Sequence, residues 1–372
     1  MNFDFSDEQR ALQNEVKRFL SRRCDLSVAR RVLDDESLGH DESVWREMLE
    51  LGWAGIAIPE HFGGVGLGYL ELCVMAQEMG RSLAPVPFSS TIYLFSEAIR
   101  RVGDPEVLEA ILPQVAAGQL IGTLAYAEGL GFPRSDHISV RYRDGRLSGE
   151  KWPVLDSNIA SKAVVLASDD DGRPCLCLVD LEQPSVQRRV LESIDPTRDQ
   201  GVLTFNATEA RCLGEPGDSS WSVFQSVLDA AAVLLAFEQV GGAEACLESA
   251  IAFASERKAF GRTVASFQAI KHKLADIYVG NQLALSNAYY GAWALDSGSD
   301  ELPLAASAAR VSATHAYEFA ATESVQVHGG MGFTWEADCH LFLRRSRSLA
   351  LLIGDLGMWK GRVTTEFERK VA

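Results

Sequence analysis

The fold of this chain is decided at the corner between two long helical patterns, where the sequence reads Glu256-Arg257-Lys258-Ala259-Phe260-Gly261 and then Phe267-Gln268. A second motif follows at the end of the next helical pattern, Val325-Gln326-Val327-His328-Gly329-Gly330-Met331-Gly332-Phe333. Both motifs combine residues that suit a phosphate-bearing, flat-ringed ligand.

The chemistry of the first motif rests on three side chains. The planar guanidinium of Arg257 can hold a pyrophosphate through two hydrogen bonds, Phe260 can pack against a flat ring, and Gln268 can hydrogen-bond an adenosine or pyrophosphate edge. Each residue alone has a plainer interpretation, and Arg257 would in that case only complement the dipole at a helix C-terminus. The joint spacing is more specific. Gln326 together with Gly329 and Gly330 makes the pattern more specific still. The two glycines have no side chain, so a backbone can approach a pyrophosphate closely there.

Charge and composition exclude several classes of partner. The formal net charge is −16 with 47% hydrophobic and 23% charged residues. Nucleic acids and anionic membrane surfaces require basic patches, so we expect neither as the main partner. The acidic N-terminus has no cationic region before an apolar run, and the longest such run, residues 230–237, is far short of the ~20 residues that span a bilayer. We therefore expect a cytoplasmic protein.

Seven cysteines are scattered along the chain. The single residue between Cys175 and Cys177 is the wrong spacing for the usual zinc pair. Several cysteines fall in apolar patterns, which favours reduced, buried thiols. The sequence predicts no metal site.

The organisation predicts an α+β protein with three parts: a helical domain at residues 1–118, a β barrel or sandwich at 119–216, and a long-helix bundle at 217–372. Ser6 is a predicted helix cap. The predicted strands are the apolar runs at 121–125, 138–142, 163–167, 175–178 and 201–205, separated by turn residues. Long helical patterns cover 219–254, 266–295, 303–327 and 349–367.

These motifs and their order resemble the acyl-CoA dehydrogenase family over essentially the full length. The glycine-rich segment from Pro59 to Gly68 follows no predicted strand, which argues against a dinucleotide fingerprint. It resembles the Pro-Glu-x-x-Gly-Gly-x-Gly segment that connects N-terminal helices in the family. The stretch Gly332-Phe333-Thr334-Trp335-Glu336 adds to the likeness.

The resemblance implies an FAD cofactor, an acyl-CoA substrate, an oligomer and electron transfer to an electron-transfer flavoprotein. In the family, a neighbouring subunit holds the adenosine half of each FAD. The residues that match that neighbour's share are Arg257, Phe260, Gln268, Gln326, Gly329 and Gly330.

The positions that would hold the flavin ring on the chain's own side depart from the family pattern. Ala127 stands where a flavin-contacting threonine is common. In Gly149-Glu150-Lys151-Trp152-Pro153-Val154-Leu155-Asp156, Pro153 and Leu155 replace a tryptophan and a threonine. A leucine side chain cannot donate a hydrogen bond to the flavin.

The position of the catalytic base also departs from the family pattern. The chemistry removes an α-proton and needs a desolvated carboxylate with a raised pKa. A gap-free match places Ile353 at the usual glutamate, and Asp355 comes two residues late. The helix position used by a minority of the family is near Ala231, and Glu238 lies two turns further along. Asp355 is the candidate base, with a helix cap as its plainer role.

Three interpretations remain open. The chain forms a homo-oligomer with Asp355 as base, or it is one half of a heteromer, as in some family members that shorten sterol side chains. In the heteromer, a homologous partner chain would own the base. The third is a catalytically silent or regulatory subunit that completes a partner's FAD site, since fold does not fix function. The intact neighbour-side motif beside the altered own side favours the heteromer.

Overall fold

The computed structural model describes residues 5–35, 38–129 and 131–371 of the chain. These residues form two compact units. One unit consists of the described residues of Met1–Arg31, Tyr69–Ala84 and Ala232–Ala372. The other consists of those of Val32–Gly68 and Pro85–Ala231. The predicted boundaries near residues 118 and 216 follow secondary-structure content and remain a prediction.

The N-terminal part is helical, as predicted. Its α-helices are Asp7–Arg23 (α1), Leu26–Asp34 (α2), Glu42–Glu50 (α3), Tyr69–Ser82 (α4), Glu97–Val102 (α5) and Pro105–Ala116 (α6), and a π-helical segment, Ser89–Ser96, runs into α5. The predicted Ser6 cap is confirmed, because Ser6 Oγ accepts the Gln9 N–H at 3.2 Å. Gln9 Oε1 accepts the Ser6 N–H at 2.9 Å in return, which completes a capping box.

The central part is a β-sheet that closes on itself. Its strands are Gly122–Ala125 (β1), Arg141–Arg143 (β2), Arg146–Leu155 (β3), Lys162–Ser168 (β4), Pro174–Asp180 (β5), Val186–Val190 (β6) and Gln200–Leu213 (β7). Neighbouring strands follow the order β1-β4-β2-β3-β7-β5, and β5 pairs back onto β4. This closure makes the predicted barrel. Its core is lined by small and β-branched residues such as Val140, Val165 and Ala167.

Four of the five predicted strand runs lie on β1, β4, β5 and β7. The fifth, residues 138–142, overlaps only the start of β2, which begins at Arg141. The predicted apolar runs do not include β3 and β6, because these two strands carry few buried residues. In β3 only Leu147, Lys151, Val154 and Leu155 are buried, and β6 has no buried position.

The C-terminal part is a bundle of long helices with a short hairpin. Its elements are Asp218–Glu256 (α7), Lys258–Ala259 (β8), Arg262–Thr263 (β9), Gln268–Asp296 (α8), Leu302–His328 (α9), Cys339–Leu351 (α10) and Leu356–Val371 (α11). The predicted helix over residues 349–367 is confirmed from Leu356 onward, where α11 runs, but it is not one continuous helix. It is broken at residues 352–355, where Gly354 has a φ of +101° that a helix cannot hold. Asp355 then starts α11 by accepting the Met358 N–H at 2.8 Å.

Helix α7 is apolar enough in length and composition to cross a membrane. Seventy-two per cent of its most apolar window is buried inside the protein. Its central alanines, including Ala231, Ala232 and Ala236, are fully buried. The apolar character of α7 is therefore accounted for by burial in the fold, as in the core helix of a bundle.

Candidate functional site

The first motif folds as a two-residue β-hairpin between α7 and α8. Lys258 pairs with Thr263 and Ala259 with Arg262. The turn residues are Phe260, with a φ of +53°, and Gly261, with a φ of +78°. Two successive positive φ values are the geometry of a type I′ turn, which normally takes asparagine, aspartate or glycine at its first position. A phenylalanine there is strained, at a cost on the order of 1–3 kcal/mol.

The strained turn holds Phe260 out of the protein. Its side chain is 95% exposed, the highest value among the large hydrophobic residues that the structure describes as exposed. The hairpin itself is supported from one side by Phe267, whose ring lies edge-on to Phe260 at 6.3 Å and under the Arg262 guanidinium at 4.0 Å. The Phe260 ring is therefore free to contact a ligand or another chain.

Arg257 has a fixed backbone and a free side chain. Its N–H donates to Phe253 O at 2.9 Å, and its carbonyl accepts the Val264 N–H at 2.8 Å. Within the described ranges, the guanidinium forms neither a hydrogen bond nor an ion pair with another side chain. Gln268, the first residue of α8, is likewise exposed. The arginine fork is therefore available for an anion.

The second motif ends α9. The ring of His328 bonds Ser324 O through Nδ1 at 2.7 Å. Gly329 follows with φ +60° and ψ −137°, a conformation that essentially only glycine adopts. A side chain added at Gly329 or Gly330 would meet no atom within 4 Å among the described residues. The backbone here is open to close approach by a ligand.

One small apolar cluster brings the two motifs together. It contains Ala250, Ala254 and Val327, with Phe253, Val264, Ala265, Ile270 and Leu274 packed against it. The Phe253 ring contacts the His328 ring at 4.5 Å. The ends of α7 and α9 and the start of α8 therefore meet. The predicted residues Arg257, Gln268 and Gln326 are carried by these three helix ends.

The loop after the second motif carries Trp335, which the sequence analysis named only as part of the family likeness. Trp335 lies between the His340 ring at 5.0 Å and the Arg344 guanidinium at 5.3 Å. Arg30 fastens the loop by donating to Trp335 O at 2.7 Å and to Asp338 Oδ1 at 2.6 Å. The side chain of Phe333, in the same loop, is 80% exposed. The contacts with His340, Arg344 and the distant Arg30 show how Trp335 is held, which its motif alone did not indicate.

The flavin-side positions in the barrel offer little polar chemistry. Ala127 and Leu155 are buried at 6% and 5% exposure, and neither side chain can hydrogen-bond. Pro153 is exposed. The Trp152 N–H donates to Ala127 O at 2.8 Å, and the Gly129 N–H donates to Trp152 O at 2.8 Å. These bonds align the two segments without supplying a side-chain donor.

Behind these segments lies a buried ion pair that the sequence did not predict. Lys151 is completely buried, and its Nζ lies 2.7 Å from Glu128 Oε1 and 3.1 Å from Tyr126 O. Glu128 also accepts the N–H groups of Ser139 at 2.7 Å and Val140 at 2.9 Å. Burial lowers the pKa of Lys151 to about 8, and the attraction of Glu128 opposes that shift. Lys151 therefore stays charged at neutral pH.

The corner between α10 and α11 has no buried carboxylate at the position of the family's base. Ile353 is fully buried, and its carbonyl accepts the Trp359 Nε1–H at 3.2 Å. Asp355 is exposed and caps α11 through the Met358 N–H. This is the plainer role weighed for Asp355. An exposed carboxylate lacks the desolvated surroundings that a catalytic base needs.

The alternative position for the base, on helix α7, also lacks a proton acceptor. Ala231 lies there, and it is fully buried and cannot accept a proton. Glu238 is fully buried, with Arg345 Nη1 at 3.7 Å from its Oε1. Nearby, the buried Arg310 donates to Gln239 Oε1 at 2.6 Å and to Leu349 O. These contacts make Glu238 part of a buried polar cluster that joins α7, α9 and α10.

The residues present fit one half of a site for a phosphate-bearing aromatic cofactor. A free guanidinium, an open glycine backbone and an outward aromatic ring converge at the helix ends. The features for the other half, a donor to the ring and a desolvated carboxylate, are missing at the positions where the family pattern puts them.

Comparison with known proteins gives the family. The acyl-CoA dehydrogenase N-terminal domain model matches residues 6–119, and the C-terminal domain model matches residues 219–363. Acyl-CoA dehydrogenase IpdE2 of Mycobacterium tuberculosis (strain ATCC 25618 / H37Rv) is 31% identical over 348 residues, which cover 93% of each chain.

Solved structures agree. A variant of the Tcur3481-Tcur3483 steroid ACAD superposes with a TM-score of 0.88 and 29% identity, covering 98% of this chain and 99% of that chain. The ChsE4-ChsE5 complex from Mycobacterium tuberculosis shares the fold, with a TM-score of 0.88, 24% identity and 99% coverage of both chains. With both domain models in order along it and a relative alike over nearly its whole length, the chain belongs to the acyl-CoA dehydrogenase family.

Proposed function

We propose that this chain is one subunit of a heteromeric, FAD-dependent acyl-CoA dehydrogenase that introduces an α,β double bond into an acyl-CoA thioester. In this proposal a homologous partner chain holds the flavin ring and owns the base. This chain completes the partner's site with its helix-end corner. FAD, when bound, accepts the hydride from the β-carbon, and a separate electron-transfer flavoprotein takes the electrons.

The hairpin corner is the observation that carries the proposal. Arg257 supplies a guanidinium with no counter-charge among the described residues, and Phe260 is 95% exposed on a strained turn. Strained residues cluster at functional sites, where other interactions compensate for them. Both features are unfavourable or idle in the isolated chain, and both become useful when a neighbouring subunit presents a flavin.

The flavin-ring and base positions of this chain also support a site that is shared between two subunits. Ala127 and Leu155 cannot donate a hydrogen bond to a flavin. Ile353 and Ala231 cannot accept a proton, and Asp355 caps a helix in an exposed position. A base contributes about 10²–10⁴-fold to the rate, so an enzyme that lacks one on this chain needs it elsewhere. A homologous partner is the simplest source.

A steroid-derived acyl-CoA is the proposed substrate class. The support is the 29% identity with the Tcur3481-Tcur3483 steroid ACAD over 98% of this chain. A carboxylic acid remnant of a sterol side chain or ring, activated as a CoA thioester, would fit this class.

The test compares this chain purified alone with the same chain co-expressed with a homologous acyl-CoA dehydrogenase encoded beside it. We expect little flavin in the chain alone. In the complex we expect stoichiometric flavin that is bleached anaerobically by a steroid-derived acyl-CoA, and less by butyryl-CoA. A chain that alone holds one FAD and is bleached by an acyl-CoA would overturn the heteromer.

A purely regulatory role outside the FAD site has a separate outcome in the same experiment. If this chain only regulates its partner, Arg257→Ala in the complex leaves both flavin content and bleaching unchanged. If it completes the FAD site, the substitution lowers flavin content at limiting FAD. Lys258→Ala is the matched control, because Lys258 is an exposed cation on the same hairpin.

A further inference from the structure

Three cysteines meet on the wall of the β barrel, well separated in sequence. Cys175 and Cys177 lie on β5, and Cys212 lies on the antiparallel neighbour β7, where it is the register partner of Cys177. The sulfur atoms of Cys175 and Cys177 are 3.9 Å apart. Cys212 packs against the core cluster that contains Cys175 and Cys177. None of these residues has a role in the proposed dehydrogenation.

Strand geometry selects one pair from the three. Directly opposed residues of an antiparallel pair have Cα atoms about 4.5–5.5 Å apart, which falls within the about 4.4–6.8 Å range of disulfides. Cys177 and Cys212 have this relation. Diagonal neighbours such as Cys175 and Cys212 are about 7–8 Å apart, and residues two apart on one strand are about 6.6 Å apart. A disulfide therefore fits Cys177 with Cys212 best.

The three sulfur atoms differ in access. Cys175 and Cys177 are completely buried, whereas Cys212 is half-buried with its Sγ 3.7 Å from Gly214 O at the surface. An oxidant therefore reaches Cys212 first. The described cysteines outside this cluster, Cys24, Cys73, Cys246 and Cys339, are all buried.

Electrostatics favours the same residue. The thiols of Cys175 and Cys177 donate towards the Cys212 sulfur, which lowers the pKa of Cys212 and increases its thiolate fraction. Burial raises the pKa of Cys73, Cys246 and Cys339 instead. Thiolates react with peroxides, so chemical reactivity and access both point to Cys212.

We propose that Cys212 is a site of reversible oxidation by hydroperoxides, with Cys177 as its resolving cysteine. The Cys212 thiolate attacks one oxygen of the peroxide, the O–O bond breaks, and the other oxygen leaves as water or alcohol after protonation. The product is a sulfenic acid. The Cys177 thiol then attacks the Cys212 sulfur, the S–O bond breaks, and water leaves. One peroxide thus accepts two electrons and one Cys177–Cys212 disulfide forms. A dithiol reductant returns both thiols.

The link would join β5 to β7 across residues 178–211. Strand β7 ends at Leu213 and leads into α7, which begins at Asp218. The disulfide would therefore restrain the strand from which α7 departs. The expected physical consequence is slower hydrogen exchange of the β5 and β7 amides in the oxidised protein.

The test uses the full chain, purified reduced and together with its partner if one is required. Hydrogen peroxide is added in small equivalents, and free thiols are counted by maleimide labelling of the unfolded protein and intact mass. We expect loss of two of the seven thiols, a mass decrease of two hydrogen atoms, and full reversal by dithiothreitol. Proteolytic mapping of this unsubstituted protein should link the peptide of Cys212 to that of Cys177.

Single substitutions give the control set. Cys212→Ser and Cys177→Ser should each abolish the mass decrease, and Cys246→Ser, a buried cysteine outside the cluster, should leave it intact. Cys175→Ser should also leave it intact, because Cys175 is not the register partner. The proposal fails if the wild-type protein forms no disulfide, if mapping links Cys175, or if the Cys212→Ser protein still loses two thiols.

Discussion

Replacing Lys151 by methionine should destabilise the barrel far more than removing an ordinary surface lysine. Methionine keeps the length of the side chain and removes its charge. Glu128 is then left as a carboxylate without its cation in a mostly buried position, since its side chain is only 15% exposed. Removing one partner of a buried ion pair costs about 3–5 kcal/mol.

We expect the free energy of unfolding to fall by an amount at the low end of that range, about 3 kcal/mol. Glu128 keeps its hydrogen bonds from the Ser139 and Val140 N–H groups, and its partial exposure allows hydration. The double variant Glu128→Gln with Lys151→Met removes both charges and should recover most of the loss. The coupling between the two sites should therefore be large and favourable.

Lys162 provides a matched control on the same sheet. Its Nζ lies 3.0 Å from Asp180 Oδ2, but the two side chains are 24% and 48% exposed. Lys162→Met should cost no more than about 1 kcal/mol, as expected for exposed pairs. Urea unfolding followed by circular dichroism, with hydrogen exchange of β3 and β7 amides, measures both variants. Equal losses for Lys151→Met and Lys162→Met would refute the reasoning.

Further predictions concern the helix-end corner and the base. Arg257→Ala should weaken FAD binding by roughly 10–150-fold, about 1.5–3 kcal/mol, measured by flavin occupancy at limiting FAD; unchanged occupancy would show that Arg257 does not bind the cofactor. Phe260→Gly should stabilise the isolated chain by about 1 kcal/mol in thermal unfolding, because glycine accepts the positive φ. The same variant should assemble more weakly, and equal assembly would contradict an interface role. Light scattering should show no flavin-saturated monomer of the native chain, and finding one would disprove the oligomeric site. Asp355→Asn keeps a good helix cap, so turnover of the assembled enzyme should stay within about tenfold. Loss of flavin reduction by the isolated chain on this substitution, with flavin still bound, would instead make Asp355 the base.

Local sequence signals predicted what depends on local structure. The Ser6 helix cap and the extent of α7 follow from neighbouring residues, and the structure has them. The break between α10 and α11 was missed because periodicity continues across it, whereas the backbone reverses at Gly354. The strands β3 and β6 were missed because an exposed strand has no apolar run to detect.

The buried charges were beyond local reasoning for a different reason. Glu128 and Lys151 are joined through strand pairing, and Glu238 and Arg345 through helix packing, so each pair exists only once the fold brings distant residues together. A charged residue in a strand pattern looks exposed until its partner is known. The side chain of Arg257 is the opposite case, since a motif predicted its role and no side chain in the described part of the protein competes for it.

The energetics of the corner suggest that flavin binding and assembly are one event. Phe260 and Phe333 are 95% and 80% exposed. Covering each by a partner would contribute about 1.5–3 kcal/mol, or roughly 3–6 kcal/mol together. Association itself costs about 4–15 kcal/mol, so the aromatic rings alone leave little or no surplus. The charged contact between Arg257 and a pyrophosphate, about 1.5–3 kcal/mol, can tip this balance. In the proposed heteromer the cofactor is therefore part of the interface, so conditions that remove FAD should also separate the subunits.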